Sequence, residues 1–314
     1  MTEDLITTDL KAGTVRFGGV LPQAIEGFLS SIDTKPCTKE SYQRALRVFE
    51  LWVRDKGYSR PTREQVLEYK GWLGNKKLSS LTITAYLTAL RRFFIYLEAE
   101  KIYPNIAKGI KGLKRPQGFL KDTLTKDEVV RLLGGIKEQG LTALRDLALI
   151  NLMLHTGLRT IEVSRALIGD IGKEGGEVIL RVWGKGRDSK DDFVILVDEA
   201  YKPILDYLQA RGENSLAEPL FSSYSNRNKS KALTTRSIRR IIGKRLRAVG
   251  LKTPKITAHS LRHTAGTIAL SNGADLLSVK EMLRHSNINT TLIYVHNLNR
   301  LSNGAEKFIN FNVP

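Results

Sequence analysis

Apolar residues recur at intervals of three and four through much of the first hundred positions. The clearest run places Tyr, Ala, Leu, Phe, Trp and Val at positions 42, 45, 46, 49, 52 and 53, which puts one apolar stripe along a helix. Comparable patterns begin at Pro22, after the capping-box sequence Thr62–Gln65 and after Ser79, where capping residues mark helix starts. The first part of the chain therefore predicts a bundle of four helices.

The second part mixes helical stripes with two β-branched segments. The capping-box sequence Thr125–Glu128 opens it, and the apolar stretch Ala143–Leu154 predicts a buried helix. Two segments, Val178–Trp183 and Phe193–Val197, flank the polar tip GKGRDSKDD, a pattern typical of a β-hairpin. The expected fold class is mainly α with a small β-hairpin or sheet in the second domain.

Breaks in these patterns set the expected domain boundaries. Residues 1–19 lack periodicity and include two consecutive glycines, which predicts a loose N-terminal arm. Residues 20–107 make the helical domain. Residues 108–122 combine glycines, a proline and basic residues without an apolar stripe and predict a basic linker. The second domain is expected to span residues 123–314, including a C-terminal tail.

Charge adds the nature of the partner. The 314 residues include 50 Lys and Arg against 32 Asp and Glu, a formal net charge of +18, and the excess is shared by both domains. Such a balance favours a polyanion over a small neutral substrate. The lone Cys37 excludes an intramolecular disulfide and a Cys-rich zinc site. The chain has no apolar run of membrane-spanning length, and a cytoplasmic protein is expected.

Basic and small polar residues on both domains could contact DNA phosphates or bases. For any one of them, a solvated position on the surface is an equally good interpretation. The candidates for DNA contact are Arg44, Arg47, Lys76, Lys77, Thr82, Thr84, Arg91, Arg92, Lys114, Arg115, Arg239 and Arg240.

Candidate chemistry concentrates near the C-terminus. His259 and Arg262 lie three apart, so on a helix they project from one face and can reach one anion. Tyr294 follows a turn rich in Asn, Ser and Thr, which could hold a phenol at the surface as a nucleophile; a packed aromatic is the alternative. His259 and His263 have the spacing of a zinc-binding helix but lack its glutamate, so no metal or cofactor is expected.

Two further residues precede this stretch. Gly157 interrupts a helix, so Arg159 lies at a helix-to-helix junction, where it can point into a cleft. A structural pair with Glu162 or Asp170 is the alternative for Arg159. Lys185 begins the hairpin tip, where it is either a solvated turn residue or a group that reaches into a site.

Taken in order, six residues carry a family resemblance: Arg159, Lys185, His259, Arg262, His285 and Tyr294. The chain resembles the tyrosine recombinase (phage integrase) family, of the simple Xer-like two-domain type, over roughly residues 20–300. TGLR, WGKG, HSLRH and LRHSNINTTLIYVH are similar to its motifs. Ser260 stands where the family often has an acidic residue. The tip is also longer and more acidic than usual, so Arg187 or Lys190 is an alternative to Lys185.

The resemblance implies a helical core-binding (SAM-like) bundle plus a catalytic domain that together grip the duplex. It implies that Tyr294 forms a 3′-phosphotyrosyl link and that Arg159 and Arg262 stabilise charge on the phosphoryl oxygens. Lys185 would protonate the departing 5′ oxygen. His259 would assist proton transfer from the phenol, and His285 would hydrogen-bond the phosphate.

The implied partners are double-stranded DNA with inverted-repeat half-sites and three further copies of the chain, which form a homo-tetramer on two DNA sites. Strand exchange would pass through a Holliday junction, for integration and excision of a mobile element or for resolution of replicon dimers. The apolar tail, residues 298–314, would pack on its own domain or exchange between protomers. A type IB topoisomerase-like enzyme and a catalytically silent DNA-binding regulator are the alternatives.

Overall fold

The computed structural model describes residues 17–114, 122–137, 139–183, 189–212, 215–226 and 229–294. The chain divides into two compact units, Met1–Gln117 and Gly118–Pro314. Each unit has its own apolar core. None of the helices in the described ranges is long and apolar enough to cross a membrane.

Residues 17–114 of the first unit contain four helices, in agreement with the predicted bundle. The Thr62 backbone N–H donates to the Gln65 side chain, as a capping box predicts. Aromatic rings fill the core, where Phe49 contacts both Tyr69 and Phe94 edge-on. The four helices are α1 (Phe17–Ser31), α2 (Pro36–Asp55), α3 (Arg63–Asn75) and α4 (Ser80–Ala99).

The start of α1 corrects the predicted N-terminal arm. Residues 17–19 belong to the helix, and Phe17 is buried. Its ring packs against Phe94 and Tyr103, at centroid distances of 6.3 and 4.4 Å. This tertiary packing outweighs the low helix propensity of Gly18 and Gly19. Residues 1–16 lie outside the described residues.

The predicted linker also needs correction over residues 108–114. Ile110 is buried in the first unit's core. Arg91 donates to the Ile110 carbonyl at 3.1 Å, and the Thr84 hydroxyl donates to the Leu113 carbonyl at 3.3 Å. One buried side chain and two hydrogen bonds therefore fix a segment that shows no periodic stripe. The rest of the predicted linker up to residue 121 lies outside the described residues.

The second unit is mainly helical with one small antiparallel sheet, which confirms the predicted fold class. The strands lie in the order β1-β2-β3, and Leu180 on β2 is opposite Ile171 on β1 and Val194 on β3. The hairpin β2–β3 was predicted, but β1 was not. The strands are β1 (Ile171–Glu174), β2 (Glu177–Val182) and β3 (Asp192–Ile195). The helices are α5 (Lys126–Gly134), α6 (Leu141–Thr156), α7 (Thr160–Arg165), α8 (Asp198–Arg211), α9 (Thr235–Ala248), α10 (Ala258–Ser271) and α11 (Leu276–Met282).

A buried ionic cluster ties α6 to the basic helix α9. Asp146 accepts from the Arg145 guanidinium at 2.7 Å through one carboxylate oxygen. Its other oxygen lies 2.8 Å from the Arg245 guanidinium. All three side chains are buried, so each charge depends on its partners for compensation. The cluster fixes α9, whose outer face carries Arg239 and Arg240.

We expect Asp146→Ala to lower the free energy of unfolding by about 3–5 kcal/mol, because it leaves two buried guanidinium groups without their carboxylate. Glu174→Ala is the matched control. It breaks the pair with Arg181, in which both side chains are about half exposed, and should cost less than about 1 kcal/mol. Urea titration of both variants measures the difference, and equal losses would contradict the assigned role of the cluster.

Candidate active site

Arg159 lies at the turn between α6 and α7. Gly157 ends α6 in the left-handed conformation, with φ of 62°, and a Cβ at this position would lie 2.4 Å from a Leu283 methyl. Arg159 then begins α7, where Glu162 accepts from its backbone N–H at 2.6 Å and from its side chain at 2.7 Å. The structural pair foreseen for Arg159 therefore exists.

The same arginine also faces open space. A cavity of about 700 Å³ is lined by Arg159 together with two other basic side chains, Arg239 and Lys252, and with the imidazole of His259. Glu162 is not among the lining residues. The cavity therefore presents an electropositive wall, suited to a phosphate group.

Arg262 does not line this cavity and has only 2% of its surface exposed. Its guanidinium donates to the Gly157 carbonyl at 2.5 Å and to the Leu283 carbonyl. Burial, followed by the charges of Arg159 and Arg284, lowers the pKa of Arg262 to about 9. The side chain stays protonated at neutral pH and holds three separate chain segments together.

Tyr294 is buried, with 1% of its surface exposed, so the prediction that a turn holds it at the surface is wrong. Its ring packs with Val279 and Leu283. Gly266 lies against the same cluster, because a Cβ there would lie 2.9 Å from Leu283, which is too close, and 3.4 Å from the Tyr294 ring, which is an ordinary contact. Burial raises the pKa of Tyr294 to about 12, although Arg262 and Arg159 act in the opposite direction.

His263 is the site residue that sequence reasoning missed as a partner of the phenol. Its Nδ1 lies 2.8 Å from the Tyr294 hydroxyl. His259 contacts the edge of the His263 ring at a centroid distance of 4.6 Å. Burial first, and then His259 and Arg262, lower the pKa of His263 to about 4, so a neutral imidazole faces the phenol. The i, i+4 spacing of the two histidines placed them on one helix face but could not identify which of them contacts Tyr294.

His285 joins the same group from the segment after α11. Its ring stacks on Tyr294 at a centroid distance of 6.3 Å, with 18° between the planes. Its Nδ1 lies 2.9 Å from the Thr291 hydroxyl, which fixes the orientation of the ring. Burial, followed by the charges of Arg262 and Arg159, lowers the pKa of His285 to about 3.

Five of the six predicted catalytic residues thus come together in the second unit, and the sixth, Lys185, lies outside the described residues, as does Arg187. The other alternative, Lys190, forms an ion pair with Asp170, with its Nζ 2.5 and 2.6 Å from the two carboxylate oxygens. Its ammonium also lies over the Trp183 ring. Within the described ranges, no group of three His, Cys, Asp or Glu side chains is arranged to hold a metal ion.

The candidates for DNA contact fall into two groups. Thr82, Thr84 and Arg91 have internal roles, because Thr82 bonds to the helix-capping Ser79 and the other two hold the segment after α4. The remaining described candidates are exposed: Arg44, Arg47, Lys76, Lys77, Arg92, Lys114, Arg239 and Arg240. Arg115 and the tail lie outside the described residues.

Comparison with known proteins identifies the architecture. The model of the "Phage integrase family" matches residues 122–300, and that of the "Phage integrase, N-terminal SAM-like domain" matches residues 27–101. The chain belongs to the phage integrase family. As a member of this family of tyrosine recombinases, it is a tyrosine-type site-specific DNA recombinase, which confirms the predicted enzyme class.

Two relatives in the family match most of the chain. Tyrosine recombinase XerC of Pelobacter propionicus is 31% identical, over 91% of this chain and 95% of its own. Tyrosine recombinase XerD of Oceanobacillus iheyensis is 32% identical, over 82% of this chain and 87% of its own. Two solved structures share the fold with TM-scores of 0.69: XerH recombinase bound to palindromic difH substrate, and a lambda integrase dimer bound to a COC′ core site. The XerH structure is 24% identical in sequence, and the match covers 85% of this chain and 80% of that one. The lambda integrase structure is 15% identical, and the match covers 91% of this chain and 79% of that one.

The lowered pKa values of His263 and His285 predict acid sensitivity. Both folded values, about 4 and about 3, lie below the ordinary 6.5, so an unfolded chain binds protons at pH values where the folded chain does not. The stability that these neutral imidazoles contribute is complete above pH 6.5. It is lost progressively as pH falls toward 4 and then 3.

We therefore expect His263→Gln to reduce the loss of melting temperature between pH 7 and pH 4.5 relative to the unmodified protein. His155→Gln, which changes a histidine at the end of α6, is the control for removal of an imidazole that does not contact Tyr294. Parallel profiles for all three proteins would show that His263 is protonated as readily in the folded chain as in the unfolded one.

Proposed function

We propose that this recombinase cuts and rejoins DNA through a 3′-phosphotyrosyl intermediate at Tyr294. The observation that carries the proposal is the convergence of the Tyr294 phenol with two arginines and two histidines from α6–α7, α10 and the segment after α11. The phenol oxygen would attack the scissile phosphorus while the bond to the 5′ oxygen breaks. The tyrosyl ester then keeps the energy of the phosphodiester bond. A second 5′ hydroxyl can attack the phosphorus and displace Tyr294.

Arginine has the geometry that this attack requires. A guanidinium presents a planar fork to non-bridging phosphate oxygens and stabilises charge as five-coordinate phosphorus forms. Arg159, on the cavity wall, is proposed to contact the phosphate directly. Arg262 is proposed as the second donor, and its field favours negative charge on Tyr294 because it lowers the phenol's pKa.

Proton transfers would complete the reaction. His259 lines the cavity and His263 lies 2.8 Å from the phenol, so we propose that this pair of imidazoles takes the proton from Tyr294. His285 would hydrogen-bond the phosphate. Lys185 is proposed to protonate the departing 5′ oxygen, since the alternative Lys190 is held by Asp170.

We propose that the arrangement with a buried, protonated phenol is the resting state of the site. A phenol with a pKa of about 12 is a weak nucleophile at neutral pH, and Tyr294 is buried in its packing with Val279 and Leu283. We propose that DNA binding and assembly move the segment that carries Tyr294 toward the phosphate. A protomer that is not bound to its DNA site would then be unable to cut DNA.

Assembly would supply that control. We propose a homo-tetramer on two DNA sites with inverted-repeat half-sites, strand exchange through a Holliday junction, and exchange of the tail between protomers. A groove of about 540 Å³ supports the last point, because it is lined by apolar groups that include Val194, Val279 and Met282. The apolar residues of the tail, among them Phe308 and Phe311, have matching chemistry.

The biological task proposed is integration and excision of a mobile element or resolution of replicon dimers. Either reaction would take place on DNA in the cytoplasm, with the protein associated with the nucleoid while bound. The formal charge of +18 and the exposed arginines and lysines on both units support double-stranded DNA as the partner.

Tyr294→Phe should abolish the covalent protein–DNA adduct on a suicide substrate while leaving half-site binding unchanged, because only the nucleophilic oxygen is removed. Gel analysis of the trapped adduct and mobility shifts of the same samples provide both readouts. Tyr201→Phe, which changes a partly buried tyrosine on α8, is the control and should form the adduct normally. An adduct that persists in Tyr294→Phe would refute the assignment.

Substrates with sulfur in place of the 5′ bridging oxygen test the general acid, because a thiolate leaves without a proton. Lys185→Ala should cut normal DNA on the order of 100-fold more slowly and be largely restored on the sulfur substrate. Lys190→Ala is the matched comparison and should show no such selective rescue. The reverse pattern would assign the role to Lys190.

Deletion of residues 304–314 tests tail exchange. The truncated protein should bind one half-site with unchanged affinity but lose cooperative binding to the full site, because the contact between protomers is removed. Mobility shifts on half-site and full-site DNA measure both quantities. Unchanged cooperativity, or a truncated protein that is unfolded by circular dichroism, would indicate that the tail packs on its own domain.

A further inference from the structure

A third arginine, Arg284, lies between Leu283 and His285 in the sequence and contacts Glu162 next to the candidate active site. It does not line the cavity that Arg159 faces. We propose that Arg284 is a positioning residue: it holds the Glu162 carboxylate in place and thereby fixes Arg159 against the scissile phosphate. The inference rests on the proposed cutting reaction of Tyr294.

The contacts form a closed circuit of three residues. Glu162 Oε1 accepts from the Arg159 guanidinium at 2.7 Å, and Oε2 accepts from the Arg159 backbone N–H at 2.6 Å and from Arg284 Nη2 at 2.9 Å. The circuit closes where Arg159 Nη2 donates to the Arg284 carbonyl at 3.3 Å. Arg159 is therefore held twice, through the shared carboxylate and through the Arg284 backbone.

The pKa of Glu162 shows that the charge of Arg284 acts on this carboxylate. Glu162 is buried, and burial by itself would raise the pKa of its carboxyl group. The net pKa is nevertheless lowered, and the charge of Arg284 is the strongest of the lowering influences, ahead of the bonds from Arg159. Without Arg284, a desolvated carboxylate would depend on Arg159 alone, and the position of Arg159 would loosen as the pair weakened.

The backbone of Arg284 indicates that the side chain has a specific role. Its φ is +51°, in the left-handed region that disfavours side chains other than those of Gly, Asn and Asp. Its side chain is buried, with Nη1 on the Met282 carbonyl at 2.7 Å, while Nε has no hydrogen-bond partner among the described residues. A strained, buried arginine is unfavourable for folding unless its ion pair compensates, and here that pair leads directly to Arg159.

The backbone conformation at position 284 also allows the side chain to be removed without added backbone strain. Glycine is relaxed at this φ and asparagine tolerates it, so Arg284→Gly and Arg284→Asn remove the guanidinium without adding backbone strain. Arg284→Lys keeps the charge but loses the planar fork. Arg181→Ala, at an exposed pair on the sheet, is the control for loss of an arginine elsewhere in the unit.

Single-turnover cleavage of a suicide substrate and half-site affinity should be measured for each variant, with melting temperatures to confirm folding. We expect Arg284→Gly and Arg284→Asn to bind the half-site with unchanged affinity and to cut on the order of 10- to 100-fold more slowly, because a small displacement of a positioned group has effects of this size. Arg284→Lys should recover part of the rate. Arg181→Ala should match the unmodified protein.

Coupling to Arg159 separates positioning from a general effect on the fold. In an Arg159→Lys background, Arg284→Gly should slow cutting much less than it does alone, because the group that it positions has already been changed. Full additivity, an unchanged rate in both Gly and Asn variants, or loss of folding in both would overturn the inference. Absence of any Tyr294 adduct in the unmodified protein would instead overturn the proposed reaction itself.

Discussion

The guanidinium of Arg262 is the group on which the rest of the site depends. It bonds to the carbonyl of Gly157 at the end of α6 and to that of Leu283 after α11, while its own backbone belongs to α10. Arg159 follows Gly157 by two residues, and His285 follows Leu283 by two. One buried side chain therefore fixes the relative positions of the segments that carry the other groups. Its charge also acts on Tyr294, His263 and His285, since it shifts the pKa of each.

A surplus of positive charge in a buried site needs compensation, and Glu162 provides it. Its carboxylate lies between Arg159 and Arg284 and leaves the cavity wall electropositive. His263 and His285 remain neutral because burial, followed by neighbouring groups that include Arg262, lowers their pKa values. Such a site is prepared for a phosphate that brings negative charge with it. Within the described part of the site, Tyr294 is protonated and packed, and we propose that it moves before it reacts.

Much of this arrangement follows from the sequence. The H-x-x-R spacing put His259 and Arg262 on one helix, and Gly157 placed Arg159 at a junction. The missed features depend on contacts between distant segments. Phe17 is helical because Phe94 and Tyr103 cover it, although its neighbours are glycines. Tyr294 is buried because it packs with Val279 and Leu283 of a distant segment.

Local patterns could have identified one other missed feature. Strand β1 is only four residues long and contains a glycine, so its own pattern is weak. Gly175 and Gly176 both have positive φ and form the two-residue turn that joins β1 to β2. The pairing of the phenol with His263, in contrast, depends on how α10 packs against the segment after α11, which no spacing along the chain reveals.

We propose that Tyr294 is the residue that becomes linked to DNA. The most direct test is mass spectrometry of the trapped adduct after nuclease and protease digestion. We expect a nucleotide on the peptide that contains Tyr294, with its 3′ phosphate attached to the phenol oxygen. A nucleotide on any other residue, or attached through a 5′ phosphate, would contradict it.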